Sequence, residues 1–331
     1  MTDIDSSDEK ELVTDMNDIE NQEEEEAKGL LRNNEDSKSS SKDKTLPLLI
    51  AAWYASSVVC TNTSKSLKLP GTTLAFCQML ISTICASLGI VLFKLDGVGK
   101  PKVWPARKAL TITVLLSFTF CAGFITLNIS LGLMHVSSVM TARAAEPVAT
   151  WLLGLFFLPN EKTPMNAVLC LVPIVLGAGL SAVAPGSNMN ASGFCLVMLC
   201  NVCFSLRTIV TKLLKSWNDI DNYNLFLQLC ILGSLWQGVI LITTGVQSLK
   251  QIVNIPILLL NGVTFYLYMQ LSWVVMSRVG AVTHSVCNSL RRPVMCAAGW
   301  LVFGGMTSWG IAGAMIATAG TMLYAREKQR L

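Results

Sequence analysis

AVTHSVCNSLRRPVMCAAGWLVF, residues 281–303, reads as a membrane-spanning helix, yet it carries Arg291 and Arg292 side by side near its middle. A charge at mid-bilayer costs about 2.5–3.5 kcal/mol on insertion scales, so two adjacent arginines need a compensating partner inside the protein. An anionic ligand is the first candidate.

The rest of the chain supports the membrane reading of that stretch. Of its 331 residues 52% are hydrophobic and only 14% charged, a balance out of keeping with a soluble protein of this size. Apolar runs near 20 residues recur, each able to cross a hydrocarbon core of about 30 Å. Ten spans are predicted, at about 46–63, 72–94, 109–129, 135–157, 166–184, 193–214, 224–246, 256–276, 281–303 and 308–325. The expected fold is an all-α polytopic membrane protein.

Ahead of the spans, residues 1–45 form an acidic, serine-rich tail, expected to be disordered because it has too little apolar surface to bury. Glu26 to Leu31 (EAKGLL) resembles an acidic dileucine sorting signal, which would make a sorting adaptor a partner. The tail has the character of neither a signal nor a transit peptide. Lys94, Lys100, Lys102, Arg107 and Lys108 cluster in one loop, and the positive-inside rule then places both termini in the cytosol.

Ten spans invite a search for two halves. Setting HVSSVMTARAAEPV (135–148) under AVTHSVCNSLRRPV (281–294) without gaps matches Pro147 with Pro293 and places Glu146 opposite Arg292. With five spans each, an odd number, the halves 46–184 and 185–331 must be inverted relative to each other, a geometry suited to alternating access.

Arg143 and Glu146, three residues apart, share a helix face and can pair. Glu146 is expected to be a structural ion-pair partner of Arg143, or of Arg291 or Arg292 across the repeat. Arg143, Arg291 and Arg292 still outnumber that acid by two. Guanidinium forks in a low-dielectric cavity suit bidentate binding of phosphate oxygens, so phosphate or phosphoester recognition is expected. Arg207, Lys65 and Lys212 are candidates for substrate contact or gating, although the lysines could instead snorkel to the interface. Among uncharged groups, Tyr268 can donate to phosphate, and Thr141, Asn128, Asn201 and Asn288 add hydrogen-bonding capacity. Glycines 177, 179, 310, 313 and 320 are expected to let helices approach closely.

Other chemistry finds little support. The spans offer neither paired carboxylates nor a nucleophile with its base, which argues against an enzyme. The eleven cysteines fall within apolar spans as small hydrophobes, and two histidines without a carboxylate cluster make no metal site. No cofactor and no nucleic-acid partner are expected. The lipid bilayer and small phosphorylated anions are the expected partners, and a homodimer is left open.

Taken together, the motifs resemble the triose-phosphate translocator and nucleotide-sugar transporter family of the drug/metabolite transporter superfamily. The likeness runs from Trp53 to Tyr324: the opening Trp53, Tyr54 and Lys65, TARAAEPV in the fourth span, Asn201, Phe204, Arg207 and Lys212 in the sixth, FYLYMQL around Tyr268, and THSVCNSLRRPV. The resemblance implies the drug/metabolite transporter fold, ten transmembrane helices as two inverted five-helix repeats, and counter-exchange of phosphorylated metabolites. In phosphate-exchanging members a lysine, a tyrosine and a Lys-Arg pair hold the phosphate, and these positions match Arg143, Tyr268, Arg291 and Arg292. Both lysines are arginines here. The expected activity is exchange of a phosphorylated organic anion for phosphate. Exchange of a nucleotide sugar for a nucleoside monophosphate is the alternative, and a non-transporting scaffold or receptor is the alternative of another class. The expected membrane is the Golgi or ER, with endosomal, vacuolar or plastid-envelope membranes as further options.

Overall fold

Apolar runs in hydrocarbon must satisfy every backbone polar group internally, which a helix does without a partner strand. The computed structural model describes residues 45–93, 107–157, 165–183, 190–217, 222–244, 246–304 and 307–328, and its regular elements there are all helical. They belong to one unit, Leu46–Leu331. In chain order they are α1 (Leu46–Ser66), α2 (Gly71–Phe93), α3 (Arg107–Leu133), α4 (Val136–Arg143), α5 (Glu146–Phe157), α6 (Met165–Leu169), α7 (Leu171–Val183), α8 (Ala191–Trp217), α9 (Asn222–Thr244), α10 (Ile255–Phe303) and α11 (Ser308–Lys328), with a 3₁₀ turn at Val246–Gln251. Glu26 to Leu31 and the Lys94–Lys102 loop lie outside the described residues.

Among the described residues six helices are each long and apolar enough to cross a membrane: Leu46–Ser66, Gly71–Gly89, Leu110–Leu133, Ala191–Thr211, Tyr223–Thr244 and Ile255–Val275. These correspond to six of the ten expected spans. The expected fourth span is broken at Ala144–Ala145 and the fifth at Cys170, while the eighth and ninth run on as the single assigned helix α10. The ten-span count is therefore not reproduced element for element.

α10 nevertheless doubles back. Tyr268 and Arg291 stand 23 residues apart, about 34 Å along a straight helix. The Arg291 guanidinium carbon lies 5.4 Å from the centre of the Tyr268 ring, so the chain reverses between them. Both arms pack on α1. Asn261 of the first arm bonds to Cys60, Thr63 and Ser64, and in the second arm the Cys287 carbonyl accepts from Tyr54 and Arg291 reaches Ser57.

Polarity is distributed as a bilayer requires. Leu155, Phe156, Leu176, Leu235, Ile242 and Leu301 face outward, while Gln78, Asn128, Asn201 and Asn261 are buried. An aromatic ladder crosses the interior, with Phe124 edge-on to Phe120, Phe204 and Phe265 at centroid distances of 4.8–5.0 Å. Phe265 in turn meets Tyr268 at 5.4 Å.

Close approach of α7 and α11 depends on Gly177, Gly313 and Gly320, a Cβ at the last of which would lie 2.9 Å from the Ile174 backbone nitrogen. A Cβ added at Gly177 would lie 2.5 Å from the Gly313 carbonyl oxygen, and one at Gly313 would lie 2.6 Å from the Gly177 oxygen. At Gly179, expected to do the same, an added Cβ meets nothing within 4 Å. Gly177→Val is accordingly expected to abolish the monodisperse peak in size-exclusion chromatography of detergent-solubilised protein, and Gly179→Val to leave it intact. Equal elution of the two variants would refute the packing argument.

Candidate functional site

The break between α4 and α5 follows from Pro147. Proline has no N–H to offer the carbonyl four residues earlier, which is that of Arg143. The orphaned oxygen accepts instead from Arg292 Nη1 at 2.7 Å, and the neighbouring Ala142 carbonyl accepts from Asn201 Nδ2 at 3.1 Å. A kinked helix, an arginine from α10 and an asparagine from α8 are thereby fastened at one point.

Glu146, at the start of α5, anchors the charges there. Its Oε2 accepts from Arg143 Nη2 and from Arg292 Nη2, both at 2.7 Å, and the three side chains are only 12–17% exposed. The gapless alignment of the two halves sets Glu146 opposite Arg292, and these residues are in contact.

Arg143 also lies 4.6 Å over Phe204, on whose ring Arg207 stacks at 5.0 Å. Arg291 Nη1 donates to Ser57 Oγ at 3.0 Å, and its guanidinium lies 5.3 Å from the Trp53 ring centre and 5.4 Å from that of Tyr268. The Nε groups of Arg143 and Arg291 are buried with no hydrogen-bond partner among the described residues. Four guanidinium groups thus gather near one carboxylate, in an interior that stabilises a charge poorly.

Beside them is a cavity of about 40 Å³, whose wall includes Arg143, Arg291, Tyr268, Ser57, Thr61, Ser64, Gln78 and Asn128. A second, more apolar cleft of about 410 Å³ opens between α4, the second arm of α10 and α11, with Arg292 and Thr141 on its wall.

Sequence expectations divide on this geometry. Arg143, Arg291 and Tyr268 meet at the small cavity. Arg292 stands behind it, spent on Glu146 and the Arg143 carbonyl. Arg207 is held by Phe120 and Phe204 and is not among the cavity's lining residues. Thr141 turns its hydroxyl to the Ser137 carbonyl at 2.9 Å, and Asn288 is half-buried away from the cavity lining. Lys65 donates to the carbonyls of Leu131, Gly132 and Met134 at 2.6, 3.4 and 2.8 Å, where an ammonium complements the C-terminal end of α3. The Lys212 side chain lies outside the described residues.

Gln78 and Asn261 were not singled out from the sequence. They form a buried amide chain: Asn261 Nδ2 donates to the Cys60 carbonyl at 2.8 Å, Gln78 Nε2 to Asn261 Oδ1 at 2.9 Å, and Asn128 Nδ2 to Gln78 Oε1 at 2.9 Å. A lone amide inside an apolar run, FCQML or LLLNGV, is the signal that could have found them.

Membrane-crossing helices around a small interior cavity lined by guanidinium groups define a multi-pass membrane protein with a basic internal site. The chain belongs to the Triose-phosphate Transporter family, which it matches over residues 44–325. Among its relatives is a protein named phosphoenolpyruvate/phosphate translocator 1, chloroplastic, from Oryza sativa subsp. japonica, 33% identical over 70% of this chain and 59% of that protein. The Arabidopsis thaliana protein of the same name is 29% identical over 86% of this chain and 72% of its own length. A triose phosphate/phosphate translocator, chloroplastic, from Flaveria trinervia is 29% identical over 71% of this chain and 60% of that protein. The chain thus spans about three-fifths of the length of two of these relatives. One solved crystal structure resembles it in fold, with a TM-score of 0.53 and 13% identity over 86% of this chain and 98% of that one.

Proposed function

We propose that this protein is a secondary active antiporter exchanging a phosphorylated organic anion, such as a sugar phosphate, for phosphate by alternating access between two inverted five-span repeats. The observation that carries this reading is the excess of guanidinium groups over Glu146 around the small cavity. Arg143 and Arg291 hold the phosphate with Arg292 in support, and Tyr268, whose hydroxyl can donate, orients it. Lys65, Arg207 and Lys212 assist entry or gating. An arriving phosphate competes with Glu146 for Arg143 and supplies the missing negative charge. Without it, mutually repelling arginines oppose closure of the cavity, which favours exchange over leak.

The contact between Glu146 and Arg292 supports the inverted repeat, since equivalent positions of two halves related by a two-fold axis meet only near that axis. The small cavity, about 40 Å³, suits a small phosphoester better than a nucleotide. The names of the relatives also point to phosphate exchange, so nucleotide-sugar exchange is not carried further. The positive-inside rule supports cytosolic termini, and EAKGLL at Glu26 to Leu31, which resembles a dileucine sorting signal, supports an endomembrane location; the word chloroplastic belongs to the relatives.

The test is uptake of labelled phosphate into liposomes carrying the purified protein and preloaded with sugar phosphate, phosphoenolpyruvate, nucleoside monophosphate or nothing. Uptake is expected only with a phosphorylated compound or phosphate inside. Absence of phosphate uptake with every internal partner, in folded protein, would overturn the reading.

A further inference from the structure

The amide chain has a direction, and that direction determines what its last member offers to the cavity. The Cys60 carbonyl can only accept, so the Asn261 group bonded to it is the NH₂ and its Oδ1 faces Gln78. Gln78 must then present its NH₂ to Asn261, where it also donates to Ser64 Oγ at 3.1 Å, and its Oε1 is left for Asn128. Asn128 must answer with its NH₂. One backbone carbonyl on α1 thereby sets the orientation of three amides on α10, α2 and α3.

At the end of this relay Asn128 keeps one N–H and its amide oxygen, neither of which has a protein partner among the described residues, and it is part of the cavity wall. Beside it Thr61 gives its proton to the Ser57 carbonyl at 2.9 Å, which leaves its oxygen as an acceptor. This wall lies at the Ser64 end of the cavity. Arg291 binds Ser57, seven residues and about 10 Å back along α1. Lys65, next to Ser64 in the chain, is committed to three carbonyls.

We propose that Asn128, oriented by Gln78 and Asn261, is a specificity-determining residue that reads a hydroxyl group on the organic part of the transported phosphoester. The proposal rests on the phosphate-exchange reading above. A hydroxyl both donates and accepts, and so matches the oxygen and the N–H of Asn128 together. A carboxylate only accepts; at this end it would face the oxygens of Asn128 and Thr61, and the lining residues here, Thr61, Ser64, Gln78 and Asn128, include no cation to offset them. Hydroxylated phosphoesters are therefore preferred to a carboxylated one lacking a hydroxyl.

The experiment uses full-length protein in liposomes, with labelled phosphate outside and glycerol 3-phosphate, phosphoenolpyruvate or phosphate inside. Wild type is expected to take up phosphate about tenfold faster against glycerol 3-phosphate than against phosphoenolpyruvate, the worth of one good hydrogen bond. Asn128→Leu should narrow that ratio, taken between the two rates of the same variant, to about twofold or less. If Asn128→Leu loses phosphate/phosphate exchange, Asn128→Ser, which also breaks the bond to Gln78, is read in the same way. If both variants are inactive, the wild-type ratio decides. A wild type that exchanges phosphate but favours phosphoenolpyruvate, or an active variant with an unchanged ratio, overturns this proposal alone. Loss of phosphate exchange in the wild type overturns the antiport reading beneath it.

Discussion

Replacing Arg291 with alanine is expected to lower phosphate exchange in liposomes by about 100-fold or more, with the protein still eluting as wild type. Each charge-assisted hydrogen bond to the ligand contributes about 1.5–3 kcal/mol, so losing two has an effect of this order. Arg291 is the informative arginine because its described polar partner is the neutral Ser57 hydroxyl and its other neighbours are the Trp53 and Tyr268 rings. Its removal therefore leaves no buried carboxylate unpaired. Arg291→Lys keeps the charge but not the planar fork, and should raise the KM for phosphate while retaining part of the maximal rate. Wild-type exchange in Arg291→Ala would remove this residue from the site.

Glu146→Ala is expected to destabilise the protein by about 3–5 kcal/mol, the usual cost of removing one partner from a buried ion pair. A single oxygen of Glu146 serves Arg143 and Arg292 at once, so the variant leaves two guanidinium groups uncompensated in the interior. The readout is the melting temperature in detergent. Two further arms separate electrostatics from lost packing. Adding phosphate should restore part of the loss, because a ligand that binds the folded state stabilises it by mass action. Glu146→Ala combined with Arg292→Met should melt above Glu146→Ala alone, since a neutral side chain of similar length removes one of the stranded charges. A single variant that melts like wild type, or a double variant that melts lower than the single, would contradict this account.

Much of the site was legible because intramembrane charge is costly and therefore conspicuous. Arg143, Glu146, Arg291 and Arg292 stand out from apolar runs in the bare sequence, and the alignment of TARAAEPV with NSLRRPV sets Glu146 opposite Arg292, one of three arginines with which it could pair. What could not be read was the division of labour among cations of equal charge. Arg292 caps the carbonyl orphaned by Pro147, Arg207 lies over aromatic rings, and Lys65 closes the end of α3. These roles depend on which neighbour reaches which atom.

Local sequence alone determined that the chain is a bundle of membrane-crossing helices, because apolar length and backbone self-satisfaction require nothing from distant residues. It also determined that the interior carries more positive than negative charge. Only the tertiary structure decided that α10 folds back on α1, that Gln78 and Asn261 orient Asn128, and that Arg143, Arg291 and Tyr268 share one small cavity. Each of these is a contact between residues far apart in the chain. Such contacts arise from packing and from hydrogen-bond direction, which no single segment encodes.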